Sequence, residues 1–436
     1  MGVIALIFSV ISKVAAQQAN PSDQPMTLAQ IWQKAEAANK TLQMQELQVK
    51  MSEQQLKDAR AERLPEVSAS TEYARIGNFK VYENGVFHAP QKPEIIPNSF
   101  ALETEAYLNV YNGNKVKTRI AAEEVAHHLT EERKNEATSV IKLRATAAYL
   151  DLQRNLIFKD LLTQTIHESE KQLAEIRELH KNGVVLRSDV LRAELQLSQQ
   201  QMTLVEIENN IALANQKLAL MIGLADTVRI NPVEDNKTLA LPETYEEYLV
   251  QAMGSSHQIK ISERETELSQ LRIKEVRADR LPKVGLFAGL GYHYPQIALF
   301  LPYSDALYSM AQAGVKISYS ISSLYHNRHK EEAAVIAWQQ QEIAHADTQD
   351  ALREAVKEGY VRYAEALQRI RVAELNIRQA EESYRIVRNT YFNQLSLLTD
   401  LLNADNQLLQ SRFDLATAQI KARLQYYQLL NTIGKL

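Results

Sequence analysis

The sequence predicts a mainly α-helical protein with a small β part, built from one helix–strand–strand–helix–helix unit used twice. Three observations carry that expectation. Prolines are confined: none lies between Pro97 and Pro232, and none follows Pro302, so two long stretches are free to be helix. Leu64-Pro65 recurs as Leu281-Pro282, with further matching segments in the same order through both halves. After each Leu-Pro the apolar spacing changes from helical to strict alternation, which marks strands.

The duplication is collinear. "YNGNKVKTRIAAEE" (111–124) is answered by "YHNRHKEEAAVIA" (325–337), and "LRSDVLRAELQL" (186–197) by "LLTDLLNADNQL" (397–408). "MIG" ending at Gly223 is answered by "TIG" ending at Gly434. The chain therefore divides into a leader (1–16), a first repeat (17–223), a linker (224–243) and a second repeat (244–436).

The leader "GVIALIFSVISKVAA" is apolar and ends in Val14-Ala15-Ala16, a small-residue pattern that suits signal-peptide cleavage before Gln17. It is shorter than the ~17 residues a bilayer-spanning helix needs. The first helix of repeat one starts at Thr27-Leu28, with Thr27 as cap, and runs through a weak point at Asn39-Lys40 to Arg63. Pro65 stops it, as Pro282 stops its counterpart, because proline lacks the N–H and pushes its predecessor towards extended geometry.

Strands are expected at about 65–76, 100–111, 283–294 and 311–322. Val67, Ala69, Thr71 and Tyr73 oppose Glu66, Ser68, Ser70 and Glu72; Leu102, Thr104, Ala106, Leu108 and Val110 oppose Glu103, Glu105 and Asn109. In the second copy Val284, Leu286, Ala288, Leu290 and Tyr292 form one face, followed by Val315, Ile317, Tyr319 and Ile321. Alternation over about ten residues is the length and pattern of a strand that crosses a bilayer. Glu66, Glu72, Glu103 and Glu105 read as lumen-facing; Tyr73, Tyr292 and Tyr294 suit an interfacial belt, and cross-strand packing explains them nearly as well. Two long helical runs follow, broken at Lys181-Asn182-Gly183 and at Asn393-Gln394, with tips at about 182–189 and 393–400. Roughly 70 residues of helix reach about 100 Å, too long for a globule, so they form a rod or tube.

Composition removes several function classes. A net charge of −4 with no basic block gives no grip on nucleic acid, and the absence of cysteine removes thiolate chemistry and disulfides. No phosphate-binding loop, nucleophile elbow or zinc-protease helix motif occurs, so an enzyme is not expected and no cofactor is implied. His326 and His329 lie one turn apart without further ligands, and His127-His128 reads as a solvated helix face. Trp32 and Trp338 read as packing residues. Four strands cannot close around a pore, and an open edge in lipid costs several kcal/mol per unpaired group, so closure must come from other copies of the chain. Two copies give eight strands and three give twelve; the residues alone do not choose.

The leader, the duplicated unit, "TLAQIWQKAEAANKTLQ", "RAERLPEVSAS", "YNGNKVKTRIAAEE" and "NGVVLRSDVLRAELQL" together resemble the TolC-like outer-membrane efflux protein family. That resemblance implies a homotrimer: a long α-helical barrel in the periplasm and a 12-stranded transmembrane β-barrel in the outer membrane of a Gram-negative bacterium. It further implies an exit duct for an inner-membrane transporter joined through a periplasmic adaptor (a membrane fusion protein), with outer-membrane lipid around the strands. The adaptor-docking tips would be Gly183, Val184, Val185, Leu186 and Asp189 in the first copy, and Gln394, Leu395, Leu397 and Leu398 in the second. Gln394 stands where the family usually has glycine, and Asn393 beside it is expected to take the left-handed turn position. Asp400 and Asn403 match the family's acidic entrance, with Asn403 replacing a second acid. Asp189 and Asp400 are also expected as helix-opening caps. Two other readings compete: the outer component of a type I protein secretion system, and a periplasmic coiled-coil scaffold that never enters the membrane. The four alternating strands disfavour the scaffold, which has no use for them.

Overall fold

The computed structural model describes residues 23–77, 79–233, 243–296, 302 and 304–436. The expected leader and residues 234–242 of the expected linker lie outside the described residues. The first half runs β1 (Asp23–Met26), α1 (Leu28–Ala38), α2 (Lys40–Ala61), β2 (Glu66–Arg75), β3 (Asn98–Tyr111), α3 (Lys115–Lys181) and α4 (Arg187–Met221). The second runs β4 (Arg229–Pro232), α5 (Tyr245–Ser255), α6 (His257–Ala278), β5 (Lys283–Tyr294), β6 (Tyr308–Ser318), α7 (Ser323–His326), α8 (Arg328–Phe392) and α9 (Leu398–Thr432). Matching helices have matching lengths: 11 residues in α1 and α5, 22 in α2 and α6, 67 and 65 in α3 and α8, 35 in α4 and α9. Among the described residues no helix is long and apolar enough to cross a membrane.

The repeat extends to the caps. Thr27 and Thr244 each accept from the third helical N–H, and Gln30 and Glu247 return a side-chain oxygen to the cap's own N–H, which completes a capping box in both copies. The weak point at Asn39 is a full break: Asn39 leaves helical geometry, and its Oδ1 accepts from Thr41 N (2.9 Å) and Leu42 N (3.2 Å), opening α2. Ser256 takes the same place between α5 and α6.

The chain forms two compact units. One comprises the chain up to Gln43 with Glu136–Ser256 and Leu352–Leu436. Its core packs α1 on α3 and α4 through Ile31, Ala35, Tyr149, Leu152 and Leu218, all at most 3 % exposed. Burying each large side chain contributes about 1.5–3 kcal/mol. Trp32 lies against Tyr427 edge-on at 5.7 Å and donates to Thr146 Oγ1 (2.9 Å), a packing role. β1 pairs in parallel with β4, which lies within the segment expected as linker. Four residues with a proline at one end are too short to show a period. The Tyr149 hydroxyl holds that ladder, lying 2.9 Å from Met26 O and 2.8 Å from Val233 O. Gly223 and Gly434 end α4 and α9 in the left-handed region, and each backs onto a neighbouring helix end. A Cβ on Gly223 would meet Ala38 Cβ at 2.8 Å; one on Gly434 would meet Ser255 O at 2.3 Å.

The other unit comprises Met44–Asn135 and His257–Ala351. It holds one antiparallel sheet in the order β2-β3-β5-β6, so the hairpins of the two repeats join through β3 and β5. The register keeps one face continuous: Ala69, Thr104, Leu290 and Ala311 share a rung, and Val67, Ala106, Ala288 and Ala313 share another. The opposite face carries Glu103 and Glu105 beside Gly289 and Gly291 of β5. Leu102, Leu286, Leu290, Val315 and Ile317 are all exposed on the apolar face. Below the sheet, Leu56, Ala59 and Ile120 pack α2 on the start of α3, and Lys115 bonds Asp279 at 2.8 Å.

Several expectations need correction. The first helix ends at Ala61, two residues before Arg63, and α6 ends at Ala278; turn bonds such as Leu64 N to Ala61 O lead into Pro65 and Pro282. β6 spans Tyr308–Ser318, so Tyr319 and Ile321 leave the apolar face. Ser320, Ser322 and Ser323 explain this: their hydroxyls and the Ser323 N–H to Ser320 O bond offer the backbone a turn instead of a ladder. A bulge between Asn109 and Tyr111 removes Val110 from the pairing, and Tyr111 meets Val284 instead. His127 is not a solvated residue: its Nδ1 lies 2.8 Å from Ser52 Oγ on α2 and its side chain is only 18 % exposed.

Candidate functional site

The two helix–helix turns are assembled by the same backbone device. α3 ends at Lys181, and Gly183 sits at φ +74°. Val184 N donates to Leu179 O (2.9 Å) and Gly183 N to His180 O (2.9 Å), a Schellman closure that satisfies carbonyls the helix leaves open. His180 Nδ1 adds a bond to Val185 O (3.0 Å). In the second turn Leu395 N donates to Thr390 O and Gln394 N to Tyr391 O, both 2.8 Å. Here the left-handed residue is Gln394 itself (φ +63°), not Asn393. Asn393 stays with the helix, donating from Nδ2 to Asn389 O (2.8 Å). The closure fixes the left-handed site by its hydrogen bonds, and the residue standing there takes the strain.

Asp189 and Asp400 are not the caps themselves but stand three residues after them. The caps are Leu186 and Leu397, both extended, and each aspartate is the third helical residue. Asp189 Oδ2 accepts from Leu186 N (3.3 Å) and Asp400 Oδ2 from Leu397 N (3.2 Å). This is half a capping box, since leucine returns no acceptor, with a carboxylate in the first turn where the helix dipole favours it.

The turns present apolar side chains outward. Leu186, Leu395 and Leu397 are 71 %, 79 % and 70 % exposed, and Val184 is 41 % exposed. Behind them one cluster joins both turns: Leu398 and Leu401 of α9 and Val190 of α4 are buried with Ile176 and Tyr391, and Val185 packs at its edge. Asp400 and Asn403, one turn apart, are both exposed on α9. Ion pairs brace the helices nearby, with Arg177 Nη2 at 2.6 Å from Glu194 Oε1. Burial raises the Tyr391 phenol above its ordinary value, and the charge of Asp189 adds to that.

Sequence reasoning missed the polar layer behind the turns. Asp405 of α9 is 4 % exposed and receives one long bond, from Gln200 Nε2 of α4 (3.4 Å). Gln196 and Asn406 pair beside it. Burial first, then the charge of Glu168, pushes the Asp405 carboxyl up to about 6; the bond from Gln200 and the charge of Arg412 act the other way. A signal was available. Leu398, Leu401, Asp405 and Leu408 are spaced three, four and three apart, so a charge occupies a core position of α9. Among the described residues no group of three or more His, Cys, Asp or Glu is placed to hold a metal.

The comparisons with known proteins agree with this architecture. The family model for outer membrane efflux proteins matches residues 31–224 and 248–435. The solved outer membrane protein VceC of Vibrio cholerae aligns over 93 % of this chain and 96 % of its own, at 18 % identity and TM-score 0.77. The CmeC outer membrane channel of Campylobacter jejuni covers 100 % and 94 %, at 14 % identity and TM-score 0.73. The open state of the MtrE outer membrane channel of Neisseria gonorrhoeae covers 93 % and 88 %, at 16 % identity and TM-score 0.72. No curated protein sequence matches the chain. With a helix–helix turn and a strand hairpin in each repeat, and with both repeats matched in order, the chain belongs to the outer membrane efflux protein family.

Proposed function

We propose that three copies of this chain close a 12-stranded barrel in the outer membrane and form the exit duct of a tripartite efflux system. The family is one of outer-membrane efflux channels rather than enzymes, working with a periplasmic adaptor and an inner-membrane pump. The observation that carries the assembly is the sheet: four antiparallel strands with a continuous exposed apolar face, and with β2 and β6 as unpaired edges. In lipid each unpaired N–H or C=O at such an edge costs several kcal/mol, so β6 of one copy must pair with β2 of the next. Three copies give twelve strands, an even number within the range of closed membrane barrels.

The turns supply the periplasmic end. Leu186, Leu395 and Leu397, with Val184, offer apolar side chains to an adaptor's tip, while Asp400 lines the entrance with one carboxylate per copy. Asn403 leaves that ring with a single acid per copy. The test is extraction from outer-membrane fractions followed by native mass spectrometry and planar-bilayer recording. A detergent-stable trimer that conducts is expected; a monodisperse monomer that needs no detergent refutes the reading and revives the scaffold.

A further inference from the structure

We propose that Asp405 is a proton switch in the helix packing behind the turns: protonated, it lets α4 and α9 close on each other, and ionised, it loosens them. The geometry comes first. Asp405 is buried at a core position of α9, between two apolar clusters of the same unit. On the side of the turns stand Leu398, Leu401 and Tyr391. On the other stand Leu162, Ile166 and Ile207, with Phe158 and Phe413 in ring contact at 4.4 Å. A carboxylate between two such layers must be solvated by its neighbours or take up a proton.

The neighbours solvate it poorly. From α4, Gln200 offers one bond of 3.4 Å, and its own Oε1 is buried without a hydrogen-bond partner among the described residues. From α3, Glu168 adds a second negative charge, which opposes ionisation. From α8, the Tyr384 phenol feels the same charge, its ionisation resisted by burial and then by Asp405, while the charge of Arg388 acts the other way. Along α9 itself Arg412 is the favourable cation. Among the described residues no lysine or arginine bonds the carboxylate; its hydrogen bond is to the Gln200 amide. A protonated carboxyl changes this, because it gains a donor for the Gln200 Oε1.

The sign follows. A carboxyl whose packed-state value is raised favours packing when protonated, so packing is strongest below about pH 4 and weakens as pH rises towards 6. Taking about 6 packed and 3.8 freed, ionisation favours the opened state about 15-fold at pH 5 and about 160-fold at pH 8. Opening should therefore become about tenfold easier from pH 5 to pH 8. The consequence for the aperture rests on the reading of the turns as the duct's periplasmic entrance; the packing switch itself does not.

The experiment is amide hydrogen exchange of the detergent-solubilised trimer at pH 5 and pH 8, followed over residues 196–204 and 401–409. Each rate is divided by that of Asp405→Asn at the same pH, which removes the intrinsic pH dependence of exchange. The expected result is a wild-type to Asp405→Asn ratio that rises about tenfold between the two values. A ratio that stays constant overturns the proposal, as does a carboxyl that titrates below pH 5 when followed directly by isotope-edited infrared spectroscopy. Should Asp405→Asn fail to assemble, Asp405→Leu, apolar like both clusters, takes its place in the ratio. Exchange needs no conduction, so a protein that never conducts refutes the duct and leaves this result standing.

Discussion

Leu290→Arg sets a guanidinium on the apolar face of the sheet at its middle rung, where Leu290 pairs with Thr104 on one side and Ala311 on the other. Arginine at the midplane of a membrane barrel costs about 2–4 kcal/mol, and about 0–1 near the interfaces. Ile317 lies on the same face, but it pairs with Val284, six residues along β5 from Leu290. Six residues at about 3.3 Å, in strands tilted by about 40°, separate the two by about 15 Å along the membrane normal. The apolar band is about 25 Å tall, so Ile317 reaches its boundary when Leu290 is central. Leu290→Arg should therefore cost about 2–4 kcal/mol per chain and Ile317→Arg about 0–1, with the penalty tripled in a trimer. Gln312→Arg, one residue from Ala311 on the other face, is the control and should be nearly silent. Trimer yield and chemical denaturation in phospholipid vesicles read the difference. If Gln312→Arg is as damaging as Leu290→Arg, the face assignment is wrong; equal damage from Leu290→Arg and Ile317→Arg refutes the depth.

Asp400→Asn keeps an oxygen to accept from Leu397 N, so trimer stability should hold while cation preference in planar-bilayer recordings falls. Asp189→Asn, which makes the same cap in the first copy, should leave selectivity nearly unchanged; equal effects would refute the entrance role of Asp400. Gly183→Ala and Gly434→Ala impose the same left-handed strain, about 1–2 kcal/mol, but only the second drives a Cβ into backbone, at Ser255 O. Thermal unfolding should show Gly434→Ala clearly more destabilising, and parity would mean that the close approach is absent. Tyr149→Phe removes the hydroxyl that serves Met26 O and Val233 O, and should cost about 0.5–1.5 kcal/mol and speed amide exchange in β1 and β4. Unchanged exchange there would show that the ladder holds without it.

The parts of the fold that were legible in the sequence are those with long-range order along the chain. Leu64-Pro65 and Leu281-Pro282, the proline-free stretches and the alternating faces each extend over many residues, so local accidents do not hide them. What was not legible depends on local competition. Whether β6 continues to Ile321 is decided by serine hydroxyls, and whether Asn393 or Gln394 turns left-handed is decided by which N–H closes on Thr390 and Tyr391. The β1–β4 ladder joins segments about two hundred residues apart and leaves no periodic trace. In the candidate site, the breaks at Gly183 and Gln394 and a first-turn carboxylate at Asp400 followed from residue type and position, whereas docking and entrance roles came from the family resemblance alone. Asp405 was missed although its spacing with Leu398, Leu401 and Leu408 was there to be read, because a four-position stripe is a short signal in a charged helix.

The join between β3 and β5 has a consequence for symmetry. β5 repeats β2 at an offset of 217, from Pro65 to Pro282, and β6 repeats β3 at 211, since Thr104 faces Ala69 as Val315 faces Leu286. The seam inside one chain is thus a second strand meeting a first strand, and so is the seam that the proposed closure needs between chains. Carried across by the two offsets, Thr104 on Leu290 becomes Val315 on Tyr73 of the next copy, and Ala106 on Ala288 becomes Ile317 on Thr71. Both of these transferred pairs stay on the apolar face. In the proposed trimer six nearly equivalent hairpins would go round the ring, giving it the pseudo-sixfold symmetry of a hexamer whose subunits were fused in pairs.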